Sequence, residues 1–467
     1  MSSPLAFTLE EKEIKNRFDV GFYHSPLVDE FFEIAGNNSV KLVPFKNYIL
    51  KLKRYPLFYG IPYLSDGVPC LKGESIDEDG NIDRLKLSFI PEYIHMKFPD
   101  TWLLRGDLVF SVRGTIGKVA VVEEDLVGAN ISANLIRVHL DKKKINPHFI
   151  KYFLLSKYGQ AQINQFSSGS LQYTITESDI KNIMIPDIKY EMQNQMVDRI
   201  KTIENKGQEY LKNYTENIKR LNTLLNKFLK IDFPEKSRNY YTLSPDRIKD
   251  RLDCYYLSPN HWELRRLLNE KVDKNLFELK YGKDLINGKN SVKKKDINNI
   301  SIKKFKYIEV KHTDDDLAEI KGFVDDFFIN LPSRARQYIK VFDVLLPRPV
   351  GSTKAIGIVP KELDGEICST GFLVFHTGSY DESLLLWIVL KSDILQKQFF
   401  YTQSGSIQPE ISPKNFDKIL IPIPQKEIHT EILEEGKKLI SEAKDSISKY
   451  QEYRKESKRV FLNLIFG

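Results

Sequence analysis

Slid against itself by about 236 residues, this sequence meets a second copy of its own pattern, and no other feature constrains the fold as much. Ser168-Gly169-Ser170-Leu171-Gln172 falls on Ser404-Gly405-Ser406-Ile407-Gln408, and Ile175 falls on Ile411. Gly106-Asp107-Leu108-Val109-Phe110 meets Phe342-Asp343-Val344-Leu345-Leu346, Lys118 meets Lys354, and Ile183-Met184-Ile185-Pro186 meets Ile419-Leu420-Ile421-Pro422. Arg17-Phe18-Asp19 with Ser25-Pro26 meets Arg251-Leu252-Asp253 with Ser258-Pro259, a few residues short of that offset. Ordered matches at a nearly constant offset mean a head-to-tail duplication. The 467 residues are therefore a doubled unit, not the three domains of about 150 residues that length alone suggests.

Within each copy the periodicity changes once. In the first, 108–112 and 118–122 are β-rich runs joined by Arg113-Gly114-Thr115-Ile116-Gly117, which predicts strand, loop, strand. A helix is expected over 147–158, with Pro147 in its first turn and Phe149, Phe153 and Leu154 at helical spacing. Segments 183–185 and 419–421, each closed by proline, read as last strands of a globule. A long helix then follows each. From 191 to 229 there is no proline, and Tyr214, Ile218, Leu221, Leu225 and Phe228 follow the 4-3-4-3 spacing of a coiled-coil seam. In the second copy Leu439, Ala443, Tyr450, Tyr453, Val460 and Leu464 form the matching stripe. Proline and polar residues over 230–237 end the first helix. The expected fold is α+β, with two pseudo-symmetric mixed α/β globules separated by two long antiparallel coiled-coil helices. Its divisions are 1–188, 189–232, 233–424 and 425–467, and each helix could reach about 55–60 Å. Antiparallel pairing would put the globules at opposite ends.

Charge adds little by itself: 70 Lys+Arg against 63 Asp+Glu give +7, a mild lean toward polyanions. Cys70, Cys254 and Cys368 are far apart and lack C-x-x-C spacing, which argues against a disulfide framework or zinc cluster and suits a reducing cytoplasm. The longest apolar run is 384–390, so neither a signal peptide nor a membrane span is expected. No G-x-x-x-x-G-K-[ST] loop is present, and the eight histidines show no metal-ligand spacing. Asn146-Pro147-His148-Phe149 superficially resembles the base-holding element of amino-methyltransferases, but it lacks the second proline, and helix initiation explains it better. Asp314-Asp315-Asp316 is expected to end a strand or cap a helix.

Taken together, the two Arg-x-Asp anchors, the run from Arg105-Gly106-Asp107 to Gly117-Lys118, Ser168-Gly169-Ser170 with Gln172, and the Ile-x-Ile-Pro exits resemble the specificity subunit of a type I restriction-modification system. The resemblance implies two target-recognition domains, each reading one half of a split, asymmetric site on double-stranded DNA, and helices that fix the gap. It implies no chemistry in this chain and no cofactor of its own. S-adenosylmethionine would belong to two docked methyltransferase subunits, and ATP and Mg to translocase-nuclease subunits. The second copy departs from the pattern where Pro349-Val350-Gly351-Ser352-Thr353-Lys354 replaces Arg113-Gly114-Thr115-Ile116-Gly117-Lys118.

Base reading calls for Arg or Lys on guanine and Asn or Gln on adenine, while phosphates take Lys, Arg, Ser and Thr. In the first globule these are Lys51, Lys53 and Arg54 beside Tyr55; Arg113, Thr115 and Lys118 on the glycine-bent loop; and Ser170, Gln172 and Tyr173. In the second they are Lys293, Lys294 and Lys303 in a lysine-rich stretch; Arg334, Arg336 and Gln337; and Arg348, Lys354 and Gln408. The plainer reading of any one charge run is a solvated face, and of the shared Ser-Gly-Ser loops a tight turn. Readers of different half-sites should differ between copies, which favours Arg334, Arg336 and Gln337. Three other readings compete: a self-contained methyltransferase or nuclease, a coiled-coil adaptor for proteins, and the specificity subunit of a related methyltransferase system outside type I.

Overall fold

The computed structural model describes residues 25–54, 62–167, 174–231, 255–285, 300–404 and 409–467. Both Arg-x-Asp anchors lie outside the described residues. By packing, the chain divides into a first unit of 1–208 with 451–467 and a second unit of 209–450.

The first unit opens with α1 (Pro26–Asn37), which buries Val28, Phe31 and Ala35 at three-and-four spacing. Then come β1 (Leu42–Pro44), β2 (Ile49–Arg54), β3 (Val68–Leu71), β4 (Ser88–Ile90), α2 (Glu92–Met96), β5 (Leu108–Ser111), β6 (Val119–Val121), β7 (Asn130–Ile131) and β8 (Leu135–Leu140). Helices α3 (Pro147–Leu155), α4 (Lys157–Ser167) and α5 (Glu177–Asn182), strand β9 (Met184–Pro186) and the long helix α6 (Tyr190–Leu229) follow. An antiparallel sheet in the order β2-β8-β5-β6 lies between helices and a smaller sheet, β4-β3-β7. Strand β5 shows why its sequence is continuously apolar: Leu108 and Phe110 join the core with Phe149 and Phe153 of α3, while Val109 joins Cys70, Leu71 and Ile131 of the smaller sheet. Asn146 caps α3 by accepting from the His148 amide at 2.8 Å.

The helix expected over 147–158 is two helices. The chain breaks at Ser156, whose hydroxyl donates to the Phe153 carbonyl at 2.6 Å, and α4 starts one residue later. Gln160 holds the turn, its Nε2 donating to the Leu154 carbonyl at 2.8 Å, and the turn brings the backbone so close that a Cβ on Gly159 would lie 2.3 Å from the Phe153 oxygen. The second copy breaks identically at Ser392, which donates to Val389 at 2.6 Å.

The second unit comprises α7 (Pro259–Lys271), β10 (Phe277–Tyr281), β11 (Lys304–Ile308), β12 (Val324–Phe327), β13 (Ala335–Tyr338), β14 (Val344–Pro347), β15 (Gly357–Ile358), β16 (Ile367–Ser369) and β17 (Phe372–Phe375). It closes with α8 (Tyr380–Lys391), α9 (Asp393–Thr402), α10 (Pro413–Phe416), β18 (Leu420–Pro424) and α11 (Lys426–Phe466). Sheet β15-β14-β17 repeats the arrangement around β5, and Val344 and Leu346 face the helices while Leu345 faces the other way. The smaller sheet is larger here, β12-β11-β16-β13. Its β11 and β16 are parallel, as β3 and β7 are. The proline-closed exits pair antiparallel with early strands, β9 with β1 and β18 with β10. Asp314 ends no long strand. Its carboxylate accepts the amides of Asp316 and Leu317, closing a turn between Thr313 and Ile320, which are bridged.

Both long helices contribute to both units. Within the second unit they run antiparallel, with Lys227 Nζ 2.9 Å from Glu435 Oε2 and Lys449 over the Tyr210 ring at 5.4 Å. The first seam is as spaced: Ile218, Leu221 and Leu225 are buried and Tyr214 and Phe228 half-buried. The second stripe is shifted at its end. Phe461 and Ile465 are buried, whereas Val460 and Leu464 are only half-buried. Here α11 packs on the first unit's core, Phe461 at 5.5 Å from Phe149 and Phe466 at 6.0 Å from Phe31.

Candidate nucleic-acid interface

Among the described residues, the matched aspartates of the two copies are frame. Asp107 is fully buried; its carboxylate accepts the Leu104 amide at 2.9 Å and Arg137 Nε at 2.5 Å, and meets His139 Nδ1 at 2.6 Å. Asp343 accepts the Lys340 amide and meets His376 Nδ1, both at 2.8 Å. Val374 takes the register position of Arg137, opposite Leu345 as Arg137 is opposite Val109. Burial holds the Asp343 carboxyl above the usual carboxylate range, against its hydrogen bonds. Two buried glutamines do the work of a missing strand. Gln162 pairs with both backbone groups of Met184 at 2.8 and 2.9 Å, and Gln398 with those of Leu420 at 3.0 and 2.7 Å.

In the first unit, Lys51 and Lys53 stand exposed on β2, the sheet's edge strand, and both pair with Asp100. Arg54 and Arg113 come to one end of the sheet, where Arg54 and Phe110 both lie opposite Ile136. Arg54 donates from Nε to the Ala133 carbonyl at 3.1 Å. Burial lowers its pKa, the like charge of Arg113 adds to this, and Glu177 opposes it. Two guanidiniums held together favour an anion between them. Thr115 is exposed on the same loop. Lys118 is turned inward: its Nζ donates to the Ile76 carbonyl at 2.7 Å and lies 3.4 Å from Glu78. Ser170, Gln172 and Tyr173 lie outside the described residues.

In the second unit, Arg334 is exposed on the approach to β13, an edge strand. Arg336 lies 5.2 Å over the Phe328 ring. Gln337 is committed to the sheet, its Nε2 donating to the carbonyls of Ser369 at 2.8 Å and Phe372 at 3.2 Å. Arg348 is likewise a staple, with Nη2 on Glu410 at 2.5 Å, Nη1 on Thr370 at 3.0 Å and Nε on Ile411 at 3.3 Å. Lys354 is exposed, unlike its sequence partner Lys118. Lys303 is exposed, while Lys293, Lys294 and Gln408 lie outside the described residues.

The smaller sheets carry a feature that charge runs alone do not reveal, lysines held over exposed aromatic rings. Lys72 lies 3.8 Å over Tyr63 and Lys97 5.7 Å over Tyr93 in the first unit. In the second, Lys304 covers Phe327 at 5.4 Å and Lys306 covers Phe323 at 5.1 Å. The alternation Lys304-Phe305-Lys306-Tyr307 on β11 is the signal that could have found it. Rings and cations side by side suit bases and phosphates together.

Among the described residues, no group of three or more His, Cys, Asp or Glu is placed to hold a metal ion, and no helix is long and apolar enough to cross a membrane. Cys70 and Cys368 are buried; burial pushes the Cys70 thiol up to about 12 and raises that of Cys368 as well. Neither thiol is suited to act as a nucleophile near neutral pH.

Residues 69–220 match the family described as the type I restriction modification DNA specificity domain. The chain is 26% identical over 207 residues to the type I restriction enzyme EcoBI specificity subunit of Escherichia coli, a match covering 43% of each chain. It is 30% identical over 147 residues to the type I restriction enzyme MjaVIII specificity subunit of Methanocaldococcus jannaschii, covering 31% of this chain and 34% of that one. These matches span less than half the length of the curated relatives. A solved chain of a type I R-M system is 14% identical with a TM-score of 0.46, over 91% of this chain and 97% of that one.

Proposed function

We propose, from the match of residues 69–220 to the type I restriction modification DNA specificity domain, that the chain is the DNA-specificity subunit of a type I restriction-modification complex. Each unit reads one half of a split target, and α6 and α11 set the gap between the halves. The chain performs no chemistry itself. Methyltransferase subunits supply S-adenosylmethionine chemistry, and restriction subunits use ATP and Mg.

The observation that carries this reading is the contrast between a repeated frame and unlike surfaces. Both units keep the same buried aspartate, the same glutamine brackets and the same break between helices. Their smaller sheets differ in strand number and carry different side chains. A frame kept twice under two different faces suits the reading of two different half-sites, since base edges are discriminated by side-chain identity. Most of the family match falls in the first unit, and the repeated frame supports extending it to the second.

Co-expression with its methyltransferase followed by mapping of modified adenines across a genome tests the reading. A split motif with a constant gap is expected. A contiguous motif, or methyl transfer by this chain alone, overturns it.

A further inference from the structure

We infer that the tip of the β11–β12 ladder reads thymine by its 5-methyl group, through Ile302 and Ile329; this rests on the proposed function as a DNA-specificity subunit. Ile302 is 81% exposed and Ile329 is 71% exposed. Leaving two large aliphatic side chains in water at one place forgoes the burial that stabilises such side chains elsewhere. The ladder brings them together. Lys304 lies opposite Phe327, and beyond the strands the Phe328 amide donates to the Lys303 carbonyl at 2.9 Å and the Ile329 amide to the Ser301 carbonyl at 3.1 Å. These bonds tie the turn that carries Ile302 to the 3-10 turn that carries Ile329.

The surroundings identify the partner as a polyanion. Lys303 and Lys304 are exposed beside the tip, Lys306 follows on β11, and Lys303 lies 4.8 Å over the Phe305 ring. The nearby acids include Asp325, Asp326 and Glu366; Asp326 is occupied by the Phe327 amide at 2.7 Å and Asn330 Nδ2 at 2.9 Å, and Glu366 by the Lys306 amide at 2.7 Å. An apolar end of a sheet rimmed by lysines suits the major groove of duplex DNA, which displays one large apolar group, the thymine methyl. The isoleucines offer no donor or acceptor, so they select by apolar contact. The lysines reach the flanking phosphates, which position the tip and carry no sequence information.

The test uses the chain assembled with its methyltransferase subunits and a duplex carrying the mapped split motif. Each thymine on either strand is replaced in turn by deoxyuridine, which removes the methyl alone. Equilibrium binding should weaken about three- to tenfold at a thymine of one half-site only. The double variant Ile302→Ser with Ile329→Ser should bind the thymine and uracil duplexes equally. If that variant binds neither, the single Ile329→Ala variant carries the same comparison. Half-sites without a methyl-sensitive thymine, or undiminished sensitivity in the variants, overturn the assignment. Failure of the unaltered complex to bind any split motif would instead strike at the specificity-subunit reading itself.

Discussion

Replacing Gln398 by leucine should destabilise the second unit by about 2–6 kcal/mol. Gln398 is fully buried on α9, and its carboxamide accepts the Leu420 amide at 3.0 Å and donates to the Leu420 carbonyl at 2.7 Å. Among the described residues, strand β18 pairs with no strand but β10, so the glutamine satisfies the other side of β18 at this residue. Leucine is similar in volume and opens little cavity, but it strands a buried N–H and a buried C=O at about 1–3 kcal/mol each. Urea unfolding of the full chain, with hydrogen exchange followed by mass spectrometry to locate the effect, measures it. The midpoint should fall by roughly 1–2 M if the slope is near typical urea values, and protection should be lost first around 398–424. Gln162→Leu should do the same to the first unit, through Met184. A loss below about 1 kcal/mol at both sites would refute the strand-surrogate argument, because two buried groups cannot be stranded so cheaply.

Arg137→Val should destabilise the first unit by less than the roughly 3–5 kcal/mol expected for a stranded buried charge, because the Leu104 amide and His139 still hold Asp107 and the second unit uses valine there; chemical denaturation checks this, and loss of the folded state would contradict it. Burial pushes His148 down to about 4, with Lys201 and Lys151 adding to the effect. Its folded pKa lies below its unfolded value, so its contribution is present above about pH 6.5 and lost as pH falls toward 4, on the order of 1–3 kcal/mol. Thermal midpoints from pH 4.5 to 7.5 should fall less steeply in a His148→Gln variant. Arg334→Ala with Arg336→Ala should alter one half of the methylated motif and leave the other intact, read by genome-wide mapping. Lengthening α6 and α11 by a heptad each should change the gap and leave both half-sites unchanged in the same assay.

What could be read in the sequence was whatever is written locally or twice. The duplication, the strands around the 113–117 loop, the cap at Asn146 and the limits of both long helices are set by periodicity and punctuation. The break at Ser156 is not legible, because it rests on Ser156 and Gln160 bonding the carbonyls of Phe153 and Leu154, as Ser392 and Gln396 bond those of Val389 and Leu390 in the second copy. Nor is the shift of the α11 stripe to Phe461 and Ile465, since that stretch answers to a globular core and not to a helical partner. Among the candidate readers, residue type alone could not separate Arg334, which is exposed, from Arg348, which ties a strand end to Glu410. Gln337 and Lys118 look like contact residues and spend their donors on backbone carbonyls. The isoleucine tip leaves no mark in the sequence: Ile302 reads as an ordinary apolar residue, and the fold leaves it in water.

The first unit has a consequence for synthesis. Its core is not closed by 1–208; Phe461, Ile465 and Phe466 belong to it, and Asp79 is held by Arg454 and Lys458. The second unit is one contiguous stretch, 209–450. At about 5–20 residues per second, the ribosome leaves the first unit unclosed for tens of seconds. The stretch begun first is thus completed last, and the order of folding runs against the order of translation. Until the final turns of α11 emerge, Phe31, Phe149 and Tyr158 lack the rings that cover them. That interval is when a nascent chain of this design is most exposed to aggregation and proteolysis.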